Sequence, residues 1–140
     1  MFVVLDTSVV AAGLRSRNGA SNALLRMVAA KGVTMLASPS LFLEYEEVLT
    51  RPEQRSAHGL SVSEVDEFLS ELAALIKPVQ IHFQWRPQLV DPADEMVLET
   101  AINGGAEAII THNVRHFAPA GLRFRVKILR PSEAIRRLRS

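Results

Sequence analysis

The feature that most restricts the fold of this chain is the alternation of short apolar runs with longer amphipathic segments. The short runs have the composition of strands and occupy residues 2–5, 33–37, 79–83, 108–111 and 124–129. Helical spacing and capping residues mark residues 21–31, 39–49, 61–77 and 92–103, and a basic helix from about residue 132. Because connections of ten or more residues let successive strands run parallel, this order predicts an α/β fold, a three-layer α/β/α sandwich around a mainly parallel sheet.

Local signals predict the ends of several elements. Ser61 and Glu64 have the spacing of a helix-capping box, and Gly32 is placed to end the first helix. Pro52 is expected to end the helix at 39–49. Residues 79–83 alternate apolar with polar side chains, which predicts an edge strand with one wet face.

Composition narrows the class of protein. The chain has 140 residues, of which 48% are hydrophobic and 22% charged, so we expect residues 1–140 to form a single soluble domain. It has no cysteine, which excludes a disulfide framework or a thiolate zinc site and favours a reducing compartment. No run is long enough for a membrane span and no secretion signal is visible, so we expect a cytoplasmic protein.

The charges are unevenly distributed along the chain. The net charge is only +1, but half of the 16 Lys and Arg residues lie from Arg115 onward, where Glu133 is the only acid. A basic C-terminal third can bind phosphates, and it can equally be a solvated face.

Three acidic residues lie where apolar ones are expected. Asp6 directly follows the first apolar run, and an unpaired carboxylate is costly to take out of water. Asp94 begins the apolar stripe of its helix, since Val97 and Leu98 follow it at helical spacing. Glu44 lies at the flank of another apolar stripe.

Each acid also has a plain structural interpretation. Asp6 can cap the turn that follows it, and Asp94 lies near the positive end of its helix, which favours a carboxylate. Glu44 can be a border residue, and Asp91 can be an ordinary N-cap.

The predicted fold can bring these side chains to one edge of the sheet. Asp6 ends a strand, Glu44 and Asp94 lie in helices that follow strands, and residues 111–113 leave another strand. Clustered carboxylates repel one another unless a cation neutralises them, and Mg²⁺ prefers oxygen ligands. Such an ion can activate water for phosphodiester hydrolysis.

Three segments resemble the PIN-domain nucleases, in particular VapC-like toxins of bacterial toxin-antitoxin systems. They read "VVLDTSVV", "SPSLFLEYEEVL" and "DPADEMVLETAINGGAEAIITHNVRHF", and the similarity covers nearly the whole chain. The resemblance implies a PIN-like α/β/α sandwich with endoribonuclease activity that depends on Mg²⁺ or Mn²⁺. It also implies a cognate antitoxin that blocks the site, and a homodimer.

Carried over by position, the resemblance implies that Asp6, Glu44 and Asp94 hold the metal and act in catalysis. By the same resemblance, Thr7 or Ser8 would contribute hydroxyl or backbone contacts beside them. Two further secondary candidates are Thr111, which leaves a strand at the same edge, and Asp91, which could compensate for a weak site if its side chain turns inward.

The fourth site position departs from the family pattern. Many relatives carry Asp where Asn113 stands, and others carry Asp where His116 stands. The Asn113 amide can still bind a metal or orient water, so we expect weaker metal affinity rather than loss of activity. An inactive relative that binds RNA without cutting it stays open.

Two further classes fit the sequence less well. A phosphotransferase of the haloacid dehalogenase type would use Asp6 as nucleophile, but that chemistry needs a second acid where Ser8 stands. A zinc enzyme is disfavoured because the histidines lack metal-ligand spacing, although His112 and His116 are four residues apart in an expected loop.

Overall fold

The computed structural model describes residues 1–84, 86 and 88–139. Within them the elements follow in the order β1 Phe2–Leu5, α1 Thr7–Arg15, α2 Ala20–Ala29, β2 Thr34–Ala37, α3 Pro39–Leu49, α4 Pro52–His58, α5 Val62–Leu75, β3 Lys77–Pro78, α6 Pro92–Gly104, β4 Ala108–Ile110, α7 Val114–Phe124, β5 Lys127–Leu129 and α8 Pro131–Arg139. No helix in these ranges has the length and apolar character to cross a bilayer.

The strands form one parallel sheet in the order β3-β2-β1-β4-β5. Val4 on β1 pairs with Leu36 on one side and Ile109 on the other. The strand order reverses between β1 and β4, because β2 and β3 extend the sheet in one direction and β4 and β5 in the other. Ligands of open α/β sheets gather outside the carboxyl ends of the strands at such a reversal.

The core lies on both faces of this sheet. Helix α6 packs on β1, β2 and β4, with α3 and α7 beside it, and α2 packs between α1 and α8. The inner strands β1 and β4 are buried almost throughout, which is typical of strands covered by helices on both sides. The predicted α/β sandwich with a parallel sheet is confirmed.

Helix termini follow the local signals closely. Ser61 and Glu64 form the predicted capping box, with hydrogen bonds of 3.1 and 3.0 Å between each side chain and the other residue's backbone N–H. After α2 the left-handed residue is Lys31, with φ 62°, and the Gly32 N–H returns to the Met27 carbonyl at 2.8 Å. Lys31 therefore occupies the left-handed position that glycine usually takes after a helix, and Gly32 is the next residue along the chain.

The strand predicted at residues 79–83 is wrong in position. The edge strand is Lys77–Pro78, and the Val79 N–H still reaches β2, at the Ala37 carbonyl. Strand β2 ends at Ala37, so later residues have no partner strand to pair with. The backbone N–H groups of residues 82–83 bind the Asn103 side chain instead.

Three helices were not predicted. Helix α1 carries Val9 and Val10, which favour strands, and Pro52 begins α4 instead of only ending α3. Helix α7 contains Pro119 and extends to Phe124, so the last strand is shorter than the predicted 124–129. His116 consequently lies in a helix and not in a loop.

Candidate functional site

Asp6 lies at the carboxyl end of β1, at the strand reversal. Its side chain accepts hydrogen bonds from the Ser8 hydroxyl at 2.9 Å and the Thr111 hydroxyl at 2.7 Å. Asp6 occupies the N-cap position of α1, but its side chain makes no capping hydrogen bond there. The capping interpretation is therefore wrong for the carboxylate, although the Asp6 carbonyl accepts from the Val9 N–H at 2.9 Å.

The surroundings of Asp6 are fixed from the neighbouring strand β4 and from helix α3. Thr111 is fully buried, and its hydroxyl also accepts from the Asn113 backbone N–H at 2.9 Å. The Asp6 N–H donates to the Ile110 carbonyl at 2.9 Å, and the buried Tyr45 hydroxyl donates to the Leu5 carbonyl. The position of this carboxylate is thus set by β1, β4 and α3 together.

Asp94 lies in the first turn of α6 and is 8% exposed. Burial, and then the negative charges of Asp6 and Asp91, raise the pKa of Asp94 from 3.8 to about 6. The His116 ring opposes this shift, with its Nδ1 atom 3.4 Å from Asp94 Oδ2. The structure therefore brings Asp6 and Asp94 into one electrostatic neighbourhood.

Glu44 lies at the periphery of this neighbourhood. It is half-buried on α3, and its pKa is raised by burial and by Glu47 and Asp91, with Arg51 acting in the opposite direction. Asp91 is exposed and caps α6 by accepting a hydrogen bond from the Ala93 N–H at 2.9 Å. This confirms the interpretation of Asp91 as an N-cap.

The remaining candidates lie around the same strand ends. Thr7 begins α1 and is half-buried, and Asn113 is an exposed residue at the N-cap position of α7. Across residues 1–84, 86 and 88–139, no three His, Asp or Glu side chains are close enough together to form a ready-made metal site. The acids interact electrostatically in pairs. The charges of Asp6 and Asp91 each raise the pKa of Asp94, and the charge of Asp91 also raises the pKa of Glu44.

His112 joins this site to a basic region. Its Nε2 atom lies 3.0 Å from the hydroxyl of the buried Ser21 on α2. Desolvation lowers the pKa of His112, the charge of Asp6 raises it, and the charges of Arg15 and Arg130 lower it. Two arginines are thus electrostatic neighbours of a histidine that is itself a neighbour of Asp6.

Comparison with models of protein families shows which family this chain belongs to. The family model described as the PIN domain matches residues 2–115. The chain belongs to the PIN domain family. PIN domains are generally nucleases and typically use divalent metals.

Solved structures share the fold of this PIN domain. A chain of VapBC2 from Rickettsia felis, solved bound to a DNA fragment from its promoter, is 16% identical, with 93% of this chain and 98% of that chain covered and a TM-score of 0.58. A chain of FitAB bound to the IR36 DNA fragment is 19% identical, with 92% and 94% covered and a TM-score of 0.57. No curated protein matches the sequence.

The donors at the strand reversal of this PIN domain suit a hard divalent cation. They are carboxylates and hydroxyls, and oxygen is the ligand atom that Mg²⁺ and Mn²⁺ prefer. The pKa of Asp94 is raised first by burial and then by the negative charges of Asp6 and Asp91, so these carboxylates repel one another. A bound cation would remove that repulsion, so these residues fit the metal that the family typically uses.

A cleft of about 740 Å³ opens beside Asp94. Its lining residues are Gln88, Leu89, Val90, Asp91, Asp94, Arg115, His116 and Pro119. Asp91 was a secondary candidate, but residues 88–90 were not predicted to take part in the site. One sequence signal could have indicated this segment. Glu95, Glu99 and Asn103 are spaced four residues apart on α6, and their side chains all bind the segment that precedes the helix.

Proposed function

We propose that this PIN domain is a metal-dependent endoribonuclease that hydrolyses phosphodiester bonds in RNA with Mg²⁺ or Mn²⁺. The observation that carries the proposal is the pairing of the two buried carboxylates, Asp6 and Asp94, at the strand reversal of a PIN domain. An acid pair kept in mutual repulsion is costly for folding, which a role in binding a cation explains.

Asp6, Asp94 and Glu44 would hold the metal, with Asn113 as a neutral fourth group. When bound, the cation supplies an activated water and neutralises charge on the phosphate oxygens. Hydrolysis adds this water across one phosphodiester bond, so one RNA fragment ends in a phosphate and the other in a hydroxyl.

The protein's own contribution is orientation. The Thr111 and Ser8 hydroxyls both donate to Oδ2 of Asp6, which fixes the carboxylate plane. Thr7 adds a hydroxyl at the start of α1, and the exposed Asn113 amide would orient a water molecule. Neutral Asn113 would bind the metal more weakly than the acid that many relatives carry there.

The charge distribution supports a polyanionic substrate. Residues 7–43 contain no acid, and α1, α2 and α8 pack together as a basic layer. The exposed cations of this layer and its connections are Arg15, Arg17, Arg26, Lys31, Arg130, Arg136, Arg137 and Arg139. Helix α5 carries four exposed acids and no cation, so RNA would approach over the basic layer.

The biological role in the proposal is that of a toxin. The chain resembles VapC-like toxins, and the fold is shared with chains of the VapBC2 and FitAB complexes. We therefore infer a cognate antitoxin as partner, a homodimer as the assembly and the cytoplasm as the location.

A second candidate is an RNA-binding module with little or no cleavage. The peripheral position of Glu44 and the neutral Asn113 favour it, because both weaken a metal site.

Cleavage of labelled RNA distinguishes the two candidates. The wild-type protein is expected to cut mixed-sequence oligoribonucleotides in MnCl₂ and not in EDTA, and Asp94→Asn is expected to abolish cutting. Asp66→Asn is the matched control, since Asp66 is an exposed acid on α5 far in sequence from the site. Cutting that persists in Asp94→Asn contradicts the proposed site, whereas RNA binding without cutting in any metal supports the second candidate.

The toxin role has its own test. Induced expression of the wild-type protein in a bacterial host should arrest growth, and Asp94→Asn should not. Normal growth with the active enzyme would point to a housekeeping nuclease.

A further inference from the structure

Two buried acids on α6 have no part in the proposed chemistry. Glu95 and Glu99 are 4% and 5% exposed. Glu95 accepts the backbone N–H groups of Gln88 and Leu89 at 2.6 and 2.8 Å. Glu99 accepts two hydrogen bonds from the Arg86 guanidinium, at 2.7 and 2.6 Å. Both carboxylates therefore bind the segment that precedes α6.

Asn103 is the third anchor on the same helix face. Its Oδ1 atom accepts the N–H groups of His82 and Phe83 at 2.9 and 3.0 Å, and its Nδ2 atom donates to the Phe83 carbonyl at 2.9 Å. The described part of this segment, which we name the strap (residues 81–84, 86 and 88–91), is thus tied to α6 at three successive turns. Charge-assisted hydrogen bonds to buried carboxylates are strong, so the strap is held in one position.

The strap forms one wall of the cleft beside Asp94. Leu89 and Val90 lie on that wall, Val90 is fully exposed, and Pro119 of α7 contributes a further apolar surface. An exposed valine with a half-buried leucine next to it, beside a catalytic acid, costs solvation in the free protein. Rigid anchoring of apolar side chains at the site is what a preorganised binding surface requires.

Polar groups converge on the same cleft. Arg115 lies at its rim with His116. The Gln88 Oε1 atom accepts from Arg123 at 2.8 Å, which fixes the amide and makes its NH₂ group the donor toward a ligand. The cleft therefore combines apolar walls, one oriented amide and one cation.

We propose that this cleft is a nucleobase subsite, which holds the base next to the phosphodiester bond that is cut. A base has apolar faces and a polar edge, and it is joined through one ribose to the phosphate. Leu89, Val90 and Pro119 pack against the faces, Gln88 donates to the edge, and Arg115 binds the adjoining phosphate. The size is suitable, since pockets for small ligands span about 300 to 1,000 Å³.

This inference rests on the proposed ribonuclease function and adds base selection to it. A peptide segment of a protein partner would match the apolar wall, but it has no need of a guanidinium beside the catalytic acid. The wall and the cation together favour a nucleotide.

The first test is binding of the four mononucleotides AMP, GMP, CMP and UMP, followed by amide NMR of the full chain. We expect shifts at residues 88–91 and 115–118, and an affinity about tenfold weaker in the double variant Leu89→Ala/Val90→Ala. Leu122→Ala is the matched control, because Leu122 is an exposed apolar residue of α7 outside the cleft. Equal binding by the wild type and the double variant overturns the proposal.

The second test is cleavage of the four homopolymeric RNAs. The double variant should raise KM about tenfold with little change in kcat and should lose the preference among bases. Glu99→Gln keeps the side-chain shape and removes the charge that binds Arg86, and it should raise KM in the same way. Cleavage with unchanged KM and base preference in both variants rejects the subsite and leaves the ribonuclease proposal standing.

The two proposals can fail separately. Mononucleotide binding in the cleft without any RNA cleavage supports the subsite and contradicts the nuclease activity. Loss of antitoxin binding in the double variant, with mononucleotide binding unchanged, identifies the cleft as a protein-docking surface and rejects the subsite.

Discussion

The hydroxyl of Thr111 donates a 2.7 Å hydrogen bond to the carboxylate of Asp6, a residue 105 positions earlier in the chain. Both side chains are buried, and they follow the neighbouring strands β4 and β1. The bond therefore joins the two halves of the sheet at the point where the strand order reverses.

Replacement of Thr111 tests this link. Thr111→Val should lower the free energy of unfolding by about 1 to 3 kcal/mol, because a buried carboxylate loses a donor and the Asn113 N–H loses an acceptor. Urea denaturation measures the decrease, and RNA cleavage should fall with it. Thr111→Ser keeps the hydroxyl and should restore most of both. A valine variant as stable as the serine variant would show that the bond contributes nothing.

The raised pKa of Asp94 predicts how stability depends on pH. Well below pH 3.8 the carboxyl is protonated in both the folded and unfolded chains, so its ionisation has no effect on stability. Between about pH 4 and pH 6 the unfolded chain releases this proton, whereas the folded chain still holds it. In the absence of metal, the free energy of unfolding therefore falls by up to about 3 kcal/mol as the pH rises through this range.

Asp94→Asn removes that cost. In EDTA at pH 7.5 the variant should therefore melt several degrees above the wild type, and the difference should shrink toward pH 4. Thermal melts across this range provide the measurement, with Asp66→Asn as the control for removal of one negative charge. A difference that is constant with pH would mean that the ionisation of Asp94 does not limit stability.

Metal binding should stabilise the folded chain. Millimolar MnCl₂ or MgCl₂ is expected to raise the Tm of the wild type by several degrees, because a ligand bound only to the folded state shifts the equilibrium. Asp6→Asn should lose the effect. Glu44→Gln should lose part of it, and Glu46→Gln, on an exposed neighbour of the same helix, should retain it in full. Equal stabilisation of Glu44→Gln and the wild type would remove Glu44 from the metal site.

The basic layer predicts salt-sensitive RNA binding. Neutralising Arg136 and Arg137 should weaken binding and reduce the slope of log K against log salt by roughly 0.7 for each phosphate that these side chains no longer bind. Fluorescence anisotropy over a range of NaCl concentrations in EDTA measures the slope without cleavage. Arg55→Gln is the control, since Arg55 is exposed on α4 outside this layer. Identical slopes before and after neutralisation would rule out RNA binding by these two arginines.

Most of the fold could be predicted from the sequence, and two of the three missed helices share a cause. The inner strands and helix α5 carry strong periodic patterns and clear caps. Helices α1 and α7 were missed because Val9, Val10 and Pro119 disfavour a helix in isolation. Their apolar faces are buried against the rest of the protein, and packing outweighs weak local preference.

In the candidate site, too, some residues could be predicted from local patterns and others depend on tertiary contacts. The misplaced acids were visible as breaks in apolar patterns, and Asp6 and Asp94 do lie together. The strap was not visible, because its contacts depend on side chains of α6 that look like ordinary polar positions. The sequence did predict that Asp91 caps its helix, but it could not tell that the Asp6 carboxylate makes no capping hydrogen bond.

By itself, the sequence determined the parallel α/β architecture and the residue types available for chemistry, because strand and helix periods are local properties of the chain. Only the tertiary structure decided which of these residues meet. The pairing of Asp6 with Thr111, the repulsion between Asp6 and Asp94 and the anchoring of the strap arise from the order in which the strands assemble, and local patterns do not encode that order.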